Sequence, residues 1–190
     1  MLAQVRRVAE KADAFVVSSE ETSVQFETNR LKHIQSKQSS SVALRVVCQG
    51  RIGYAATTNL EDSPHLIDMA VAAARFGIPA KFELPVISTY PRITIFDSKV
   101  ESVSIEEMIK LGEELICRLR EHTPDLLCDA YISKDVHCVQ ILNSRGEQIS
   151  YKQTIANLSV WANLIRSTDM LFVGDGESSC HPILNSDTVA

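Results

Sequence analysis

Two stretches of alternation constrain what this chain can fold into. Val42, Leu44, Val46 and Cys48 occupy every second position, with Arg45 among the residues between them, and Ala156, Leu158, Val160 and Ala162 repeat the spacing later in the chain. Successive side chains of a strand point to opposite faces, so this spacing gives one buried face and one wetted face. A half-buried strand needs paired neighbours and a layer against its apolar face. The chain therefore has to build sheet, and something must cover it.

The residues around the first stretch read as an antiparallel meander. A short helix is predicted over residues 2–11, where Leu2, Val5, Val8 and Ala9 share one face. Residues 14–17 are apolar and β-prone, and Val24 and Phe26 alternate with Gln25 and Glu27. Thr28-Asn29-Arg30 supplies a turn, because asparagine tolerates the left-handed backbone of tight hairpins. Residues 31–37 return, and Ser39-Ser40-Ser41 is predicted as a polar, bulge-forming segment between strands. Gln49-Gly50 then turns the chain into a strand over residues 51–57.

Helix signals follow. Ser63 is predicted to cap a helix with Pro64 at its first position, where a missing N–H has no partner to lose. Its buried stripe is Leu66, Ile67, Ala70, Val71 and Ala74; Gly77 ends it and Pro79 prevents continuation. Residues 78–98, with Pro79, Pro85 and Pro91, read as an irregular connection anchored by Val86, Ile87, Ile93, Ile95 and Phe96. Ser104 and Glu107 have capping-box spacing and open a second helix. Ile105, Met108, Ile109, Leu115, Ile116 and Leu119 line its apolar face, and Pro124 lies beyond its end.

A second strand block is predicted over 129–133, 136–142, 147–152 and 156–165, with a turn at Asn143-Ser144-Arg145-Gly146. From Gly174 onward the chain is rich in Gly, Ser, Asp and Asn and is expected to be loop or disorder. The fold class is α+β: antiparallel strand meanders with packed helices.

The two strand blocks also resemble each other. Asp13-Ala14-Phe15-Val16 aligns with Asp129-Ala130-Tyr131-Ile132, Val24-Gln25-Phe26 with Val139-Gln140-Ile141, and Leu44-Arg45-Val46 with Leu158-Ser159-Val160. The slips in offset fall in turns or polar runs, where insertions are tolerated. An internal duplication is expected, with units of about 13–77 and 104–165 in one domain over 1–177, followed by a loop or disordered tail over 178–190.

Composition excludes several function classes. With 190 residues and 45% hydrophobic content, the chain can bury a proper core. A net charge of −5 gives no bulk attraction to nucleic acid or anionic lipid. No apolar run reaches the ~18 residues of a spanning helix. The start carries two arginines without an apolar segment behind them, so no secretory signal is expected. Five scattered cysteines, Cys48, Cys117, Cys128, Cys138 and Cys180, are expected as reduced thiols in the cytoplasm.

No catalytic constellation is readable. The histidines are His33, His65, His122, His137 and His181, and none has another three to five positions away, as a metal clip on one turn requires. His137-Cys138 are neighbours on a predicted strand and point apart. Gly174-Asp175-Gly176-Glu177-Ser178 lacks the following Lys-Ser/Thr and the helix of a phosphate loop, so a solvated loop is expected. Trp161 is expected in the core of a two-sided sheet. Glu20-Glu21 and Glu113-Glu114 read as solvated faces. Catalytic, metal-binding and cofactor-binding residues are therefore none, and nothing singles out a peptide-binding residue.

A string of short motifs carries a resemblance. Val24-Gln25-Phe26-Glu27 and Asn29-Arg30-Leu31-Lys32, then Gly50-Arg51-Ile52-Gly53-Tyr54-Ala55, Thr57-Thr58 and Ala72-Ala73-Ala74-Arg75-Phe76-Gly77, follow in the order seen in the TldD/PmbA family. Asn143-Ser144-Arg145-Gly146, Ser150-Tyr151-Lys152 and Leu158-Ser159-Val160 continue it, so that the likeness covers roughly 13–177. It departs at Thr28-Asn29-Arg30, where the family often has Asn-Gly, and in a shortened first helix.

The resemblance implies the N-terminal α+β domain of cytoplasmic zinc metallopeptidases, some labelled modulators of DNA gyrase, which work as homodimers or paired subunits. In that family zinc is held by an H-E-x-x-x-H motif in a C-terminal domain, which has no counterpart before Ala190. The expected role is noncatalytic: helping to form the peptide-binding chamber and subunit interface, with no zinc in this chain and peptide or protein substrate met through the full-length protein. No direct nucleic-acid or membrane contact is expected. The alternative is a free-standing interaction or regulatory module without enzymatic activity.

Overall fold

The computed structural model describes residues 2–86, 90–187 and 189. The elements in order are α1 (Leu2–Val5), β1 (Lys11–Glu27), β2 (Arg30–Cys48), β3 (Arg51–Thr57), α2 (Ser63–Ala74), α3 (Ser98–Ser102), α4 (Ile105–His122), β4 (Leu127–Asn143), β5 (Gln148–Arg166) and β6 (Asp169–Ser179). The strands form one sheet of six in the order β3-β2-β1-β4-β5-β6. The architecture is α+β, with two three-stranded meanders.

The predicted hairpins form where the local chemistry placed them. Thr28 and Asn29 adopt φ of 50° and 67°, and Gln49 and Gly50 adopt 51° and 69°, the paired left-handed conformations of a tight two-residue hairpin. Asn29 adds a side-chain clasp in which its Nδ2 donates to the Leu126 carbonyl at 3.1 Å and its Oδ1 accepts from Cys128 N at 2.8 Å.

Two polar runs lie within strands. Residues 18–23 lie inside β1, and Ser39-Ser40-Ser41 lies inside β2 rather than forming a segment between strands. Their hydroxyls pair across strands: Ser19 Oγ with Ser39 Oγ at 2.8 Å, and Thr22 Oγ1 with Ser36 Oγ at 3.2 Å. Strand preference depends on neighbours more than on the residues themselves, and pairing with a neighbouring strand overrides these serines.

The chain divides into two compact units. The first comprises Met1–Ser19, Ser39–Ile93 and His137–Lys152. Its core joins Ala12, Ala14, Val42, Leu44 and Val46 of the strands to Leu66, Ile67, Ala70 and Ala74 of α2. Burying each large aliphatic side chain contributes about 1.5–3 kcal/mol. The α2 stripe matches expectation, but the cap does not. Asp62 caps the helix, its Oδ1 accepting from His65 N at 3.2 Å, and Ser63 is already helical. A carboxylate one residue earlier serves both as acceptor and as charge complement to the helix N-terminus. The first helix ends at Val5 and not near residue 11. Val5 is buried while Val8 is exposed, and Glu10 N donates to the Val47 carbonyl at 2.9 Å, which commits the chain to the sheet.

In the connection after α2, Val86 and Ile93 are exposed rather than anchored, Ile95 and Phe96 are half-buried, and Ile87 lies outside the described residues. The anchor is Leu84, fully buried, whose carbonyl accepts from Arg145 Nη1 at 2.9 Å. Asn143 Nδ2 holds the next carbonyl, that of Pro85, at 2.9 Å.

The second unit comprises Glu20–Gln38, Thr94–Val136 and Gln153–Ala190. Val24, Phe26, Ile132, Leu158 and Val160 meet Met108, Leu111, Leu115 and Ile116 of α4 in its core. The capping box is present: Glu107 N donates to Ser104 Oγ at 3.1 Å, and Ser104 N donates to Glu107 Oε2 at 2.7 Å. The short helix α3, capped by Asp97, was not foreseen. Residues 174–179, expected as loop, are the second half of β6.

Candidate interaction surface at the β6 edge

β6 is an outer strand of the sheet, reached from β5 through a turn in which Ser167 has φ of 54°. Its pairing with β5 is antiparallel and long, from Arg166↔Asp169 to Ala156↔Ser179. Directly opposed residues share a face. Leu158, Val160, Ala162 and Leu164 therefore sit with Glu177, Asp175, Val173 and Leu171, while Trp161, Asn163 and Ile165 sit with Gly174, Phe172 and Met170.

This register explains both the hidden strand and its surface. On β5, Leu158, Val160 and Ala162 are buried, whereas Leu171 and Val173 beside them on β6 are exposed. On the other face Met170 is 69% exposed and Phe172 62%. β6 is thus apolar at four successive residues, Met170-Leu171-Phe172-Val173, on both faces, and one edge of its backbone faces away from β5. Over residues 170–173 such an outer edge sets backbone N–H and C=O groups between apolar side chains, which is the chemistry of strand addition.

Trp161 belongs to this surface and not to the core, being 45% exposed. Its ring lies over Gly174, where an added Cβ would meet Trp161 Cδ1 at 2.6 Å. That contact is the reason a glycine stands within a strand here, and it is why the Gly-rich composition misled. The run 170–173 was the signal in the sequence that could have disclosed the strand.

The residues singled out for metal chemistry stay apart. His33, His65, His122 and His181 are exposed, and His137 is half-buried. Among the described residues, no three His, Cys, Asp or Glu side chains converge on one point. One polar cluster lies in the second unit and is structural. His181 Nδ1 lies 2.9 Å from Asp97 Oδ2, Asp97 N donates to Thr154 Oγ1 at 2.9 Å, and Thr154 Oγ1 donates to the Cys180 carbonyl at 2.9 Å. Hydrogen bonding to His181, then to the Lys99 backbone N–H, holds the Asp97 carboxyl below its ordinary pKa. It ties the α3 cap to the end of β6. Elsewhere in the second unit, burial and then the hydrogen bond to Glu21 at 2.8 Å raise the Tyr131 phenol.

The chain is similar to known proteins in sequence over one stretch and in fold over most of its length. Residues 12–75 match the model of the family described as PmbA/TldA metallopeptidase domain 1. The whole fold is similar to TldE from Thermococcus kodakarensis, with a TM-score of 0.79 at 14% identity, covering 93% of this chain and 41% of that one. A proposed modulator of a DNA gyrase from Thermotoga maritima gives 0.75 at 15% identity, covering 95% of this chain and 41% of that one. A proposed modulator of DNA gyrase from Bacteroides thetaiotaomicron gives 0.80 at 16%, covering 100% and 46% respectively. No curated protein sequence matches. The chain spans less than half the length of each of these structures.

Proposed function

We propose, on the premise that this chain carries the first domain of the PmbA/TldA metallopeptidase family, that it is a noncatalytic part of such a peptidase. It helps to form the peptide-binding chamber and the interface between subunits, and it acts in the cytoplasm. The observation that carries this reading is the β6 edge, apolar on both faces at residues 170–173 and wet along one backbone edge. An exposed hydrophobic edge is an aggregation hazard for a protein that works alone and an asset for one that binds an extended chain. Zinc, which the family name implies, finds no fitting donor set among the described residues, so no chemical step is assigned to this chain. Among the described residues no helix is long and apolar enough to cross a membrane.

The test is amide hydrogen exchange across β6 with and without a short, unstructured peptide in excess. Slowed exchange at alternate residues of 170–178 supports strand addition; unchanged exchange there, with protection arising elsewhere, refutes it. Stoichiometric zinc or peptide hydrolysis by the purified chain alone contradicts the noncatalytic role.

The internal duplication is proposed on the same footing. It rests on the sequence likeness of the two strand blocks, because β2 and β5 aligned end to end would put Leu44 on Ala162 rather than on Leu158. Superposition of β1–β3 on β4–β6 with Leu44 falling on Leu158 supports it; a register that separates those two residues removes it.

A further inference from the structure

A second feature of the molecule lies in the first unit and has no part in the β6 reading. A cleft of about 570 Å³ opens there beside the end of α2 and the start of β3. Arg6, Arg7, Arg51 and Arg75 line it, with Glu10 as the one acidic residue. In a chain of net charge −5, four arginines lining one concavity need a reason.

Two details sharpen the question. The arginines are brought together from separate elements: Arg6 and Arg7 follow α1, Arg51 begins β3, and Arg75 caps α2. Arg51 is fixed in place, its Nη1 donating to the Gly77 carbonyl at 2.8 Å. Two arginines elsewhere in the chain are neutralised, Arg45 by Asp13 and Arg118 by Asp187, each at 2.7 Å. Among the described residues, no ion pair involves any of the four in the cleft. Glu10 is engaged with Gly50 N at 3.3 Å, at the hairpin. The floor between the charges is aliphatic, formed by Ala9, Val71 and Ala74.

We propose that this cleft is a binding site for a small, soluble phosphorylated molecule carrying at least two negative charges. The planar guanidinium fork matches phosphate oxygens in bidentate fashion, and a singly charged carboxylate would leave most of the four unpaired. A volume of about 570 Å³ accommodates a diphosphate with an organic group set against the aliphatic floor. Cys48 also lines the cleft, its Sγ directed at the Val8 carbonyl at 3.6 Å, and it serves as a reporter inside the site.

The experiment uses the full 190-residue chain and sodium pyrophosphate as probe. Calorimetric titration at low salt is expected to give saturable binding of one pyrophosphate per chain. Loss of a charge-assisted contact weakens binding about tenfold in Arg75→Gln and again in Arg7→Gln, each judged folded by circular dichroism. Arg118→Gln, remote in sequence and paired, leaves it unchanged. Saturating pyrophosphate is expected to slow alkylation of Cys48, followed by mass spectrometry, without slowing that of the exposed Cys117.

The inference is overturned if pyrophosphate does not bind, if all three variants weaken it alike, or if Cys48 reacts at the same rate when pyrophosphate is saturating. A fourth outcome also overturns it, because Phe76 and Ile78, beside Arg75, are 91% and 72% exposed. If the chain sediments with phosphatidylglycerol vesicles, loses this in Phe76→Ser and ignores pyrophosphate, the basic surface serves an anionic membrane instead.

Discussion

The two outer strands of the sheet are finished in opposite ways. β3 is covered: its Ile52 N–H donates to the Ile78 carbonyl at 3.0 Å, the Gly50 carbonyl accepts from Ala80 N at 2.7 Å, and Arg51 bridges to Pro79. α2 packs on it so closely that a Cβ on Gly53 would overlap the Ala70 carbonyl oxygen. β6 has no such cover among the described residues and carries four exposed apolar side chains in succession. Proteins blunt sheet edges that are not meant to pair. The first edge is covered by its own chain, and the second presents apolar side chains to solvent.

The contrast can be broken most forcefully at Gly53. Gly53→Ala drives a methyl group into the α2 backbone and is expected to cost about 3 kcal/mol, read as a lower denaturant midpoint, as overpacking does. Stability equal to that of the unsubstituted chain would mean that α2 does not clamp β3. Weakening the clamp from its far end gives a smaller effect. Asp62→Ala is expected to lose about 1 kcal/mol, while Ser63→Ala changes stability by a few tenths, since only the first is the cap. The reverse order in thermal melts would restore Ser63 to that role.

At the open edge the expected change in stability is small and the change in association is large. Phe172→Lys should alter unfolding by no more than about 0.5 kcal/mol, because the side chain already sits in water. If the open edge pairs chain with chain, the substitution should also remove concentration-dependent association in sedimentation. A large loss of stability would show instead that Phe172 is buried in the free chain.

The subtlest test is acid titration at the foot of β6. The carboxyl of Asp97 has its pKa depressed in the folded state, so its stabilising contribution is present above the ordinary carboxylate pKa and is lost as pH falls through the folded value. Asp97→Asn should therefore narrow the difference in stability between neutral pH and pH below about 4. An unchanged acid limb would remove the His181 contact from the account.

Much of the fold was legible because its signals are local. The left-handed hairpins at Thr28-Asn29 and Gln49-Gly50, the capping box at Ser104 and the apolar stripes of α2 and α4 each depend on residues within a few positions of one another. What escaped depends on distant partners. Residues 18–23 and the Ser39-Ser40-Ser41 run are strand because neighbouring strands pair with them, and the Gly-rich half of β6 is strand because β5 and the Trp161 ring receive it. The same holds for the surfaces. Met170 to Val173 stood in plain sight as an apolar run, but only the sheet order makes it an edge. The arginine cleft joins residues from three elements that no spacing rule connects.

The most direct measurement is native-state hydrogen exchange on the dilute, monomeric chain, comparing the two edges. Amides of β3, starting with Ile52, should be strongly protected, while alternate amides of residues 170–174, those turned away from β5, should exchange close to the unprotected rate. Uniform protection along β6 in the monomer would mean that the edge is already covered and would contradict the account.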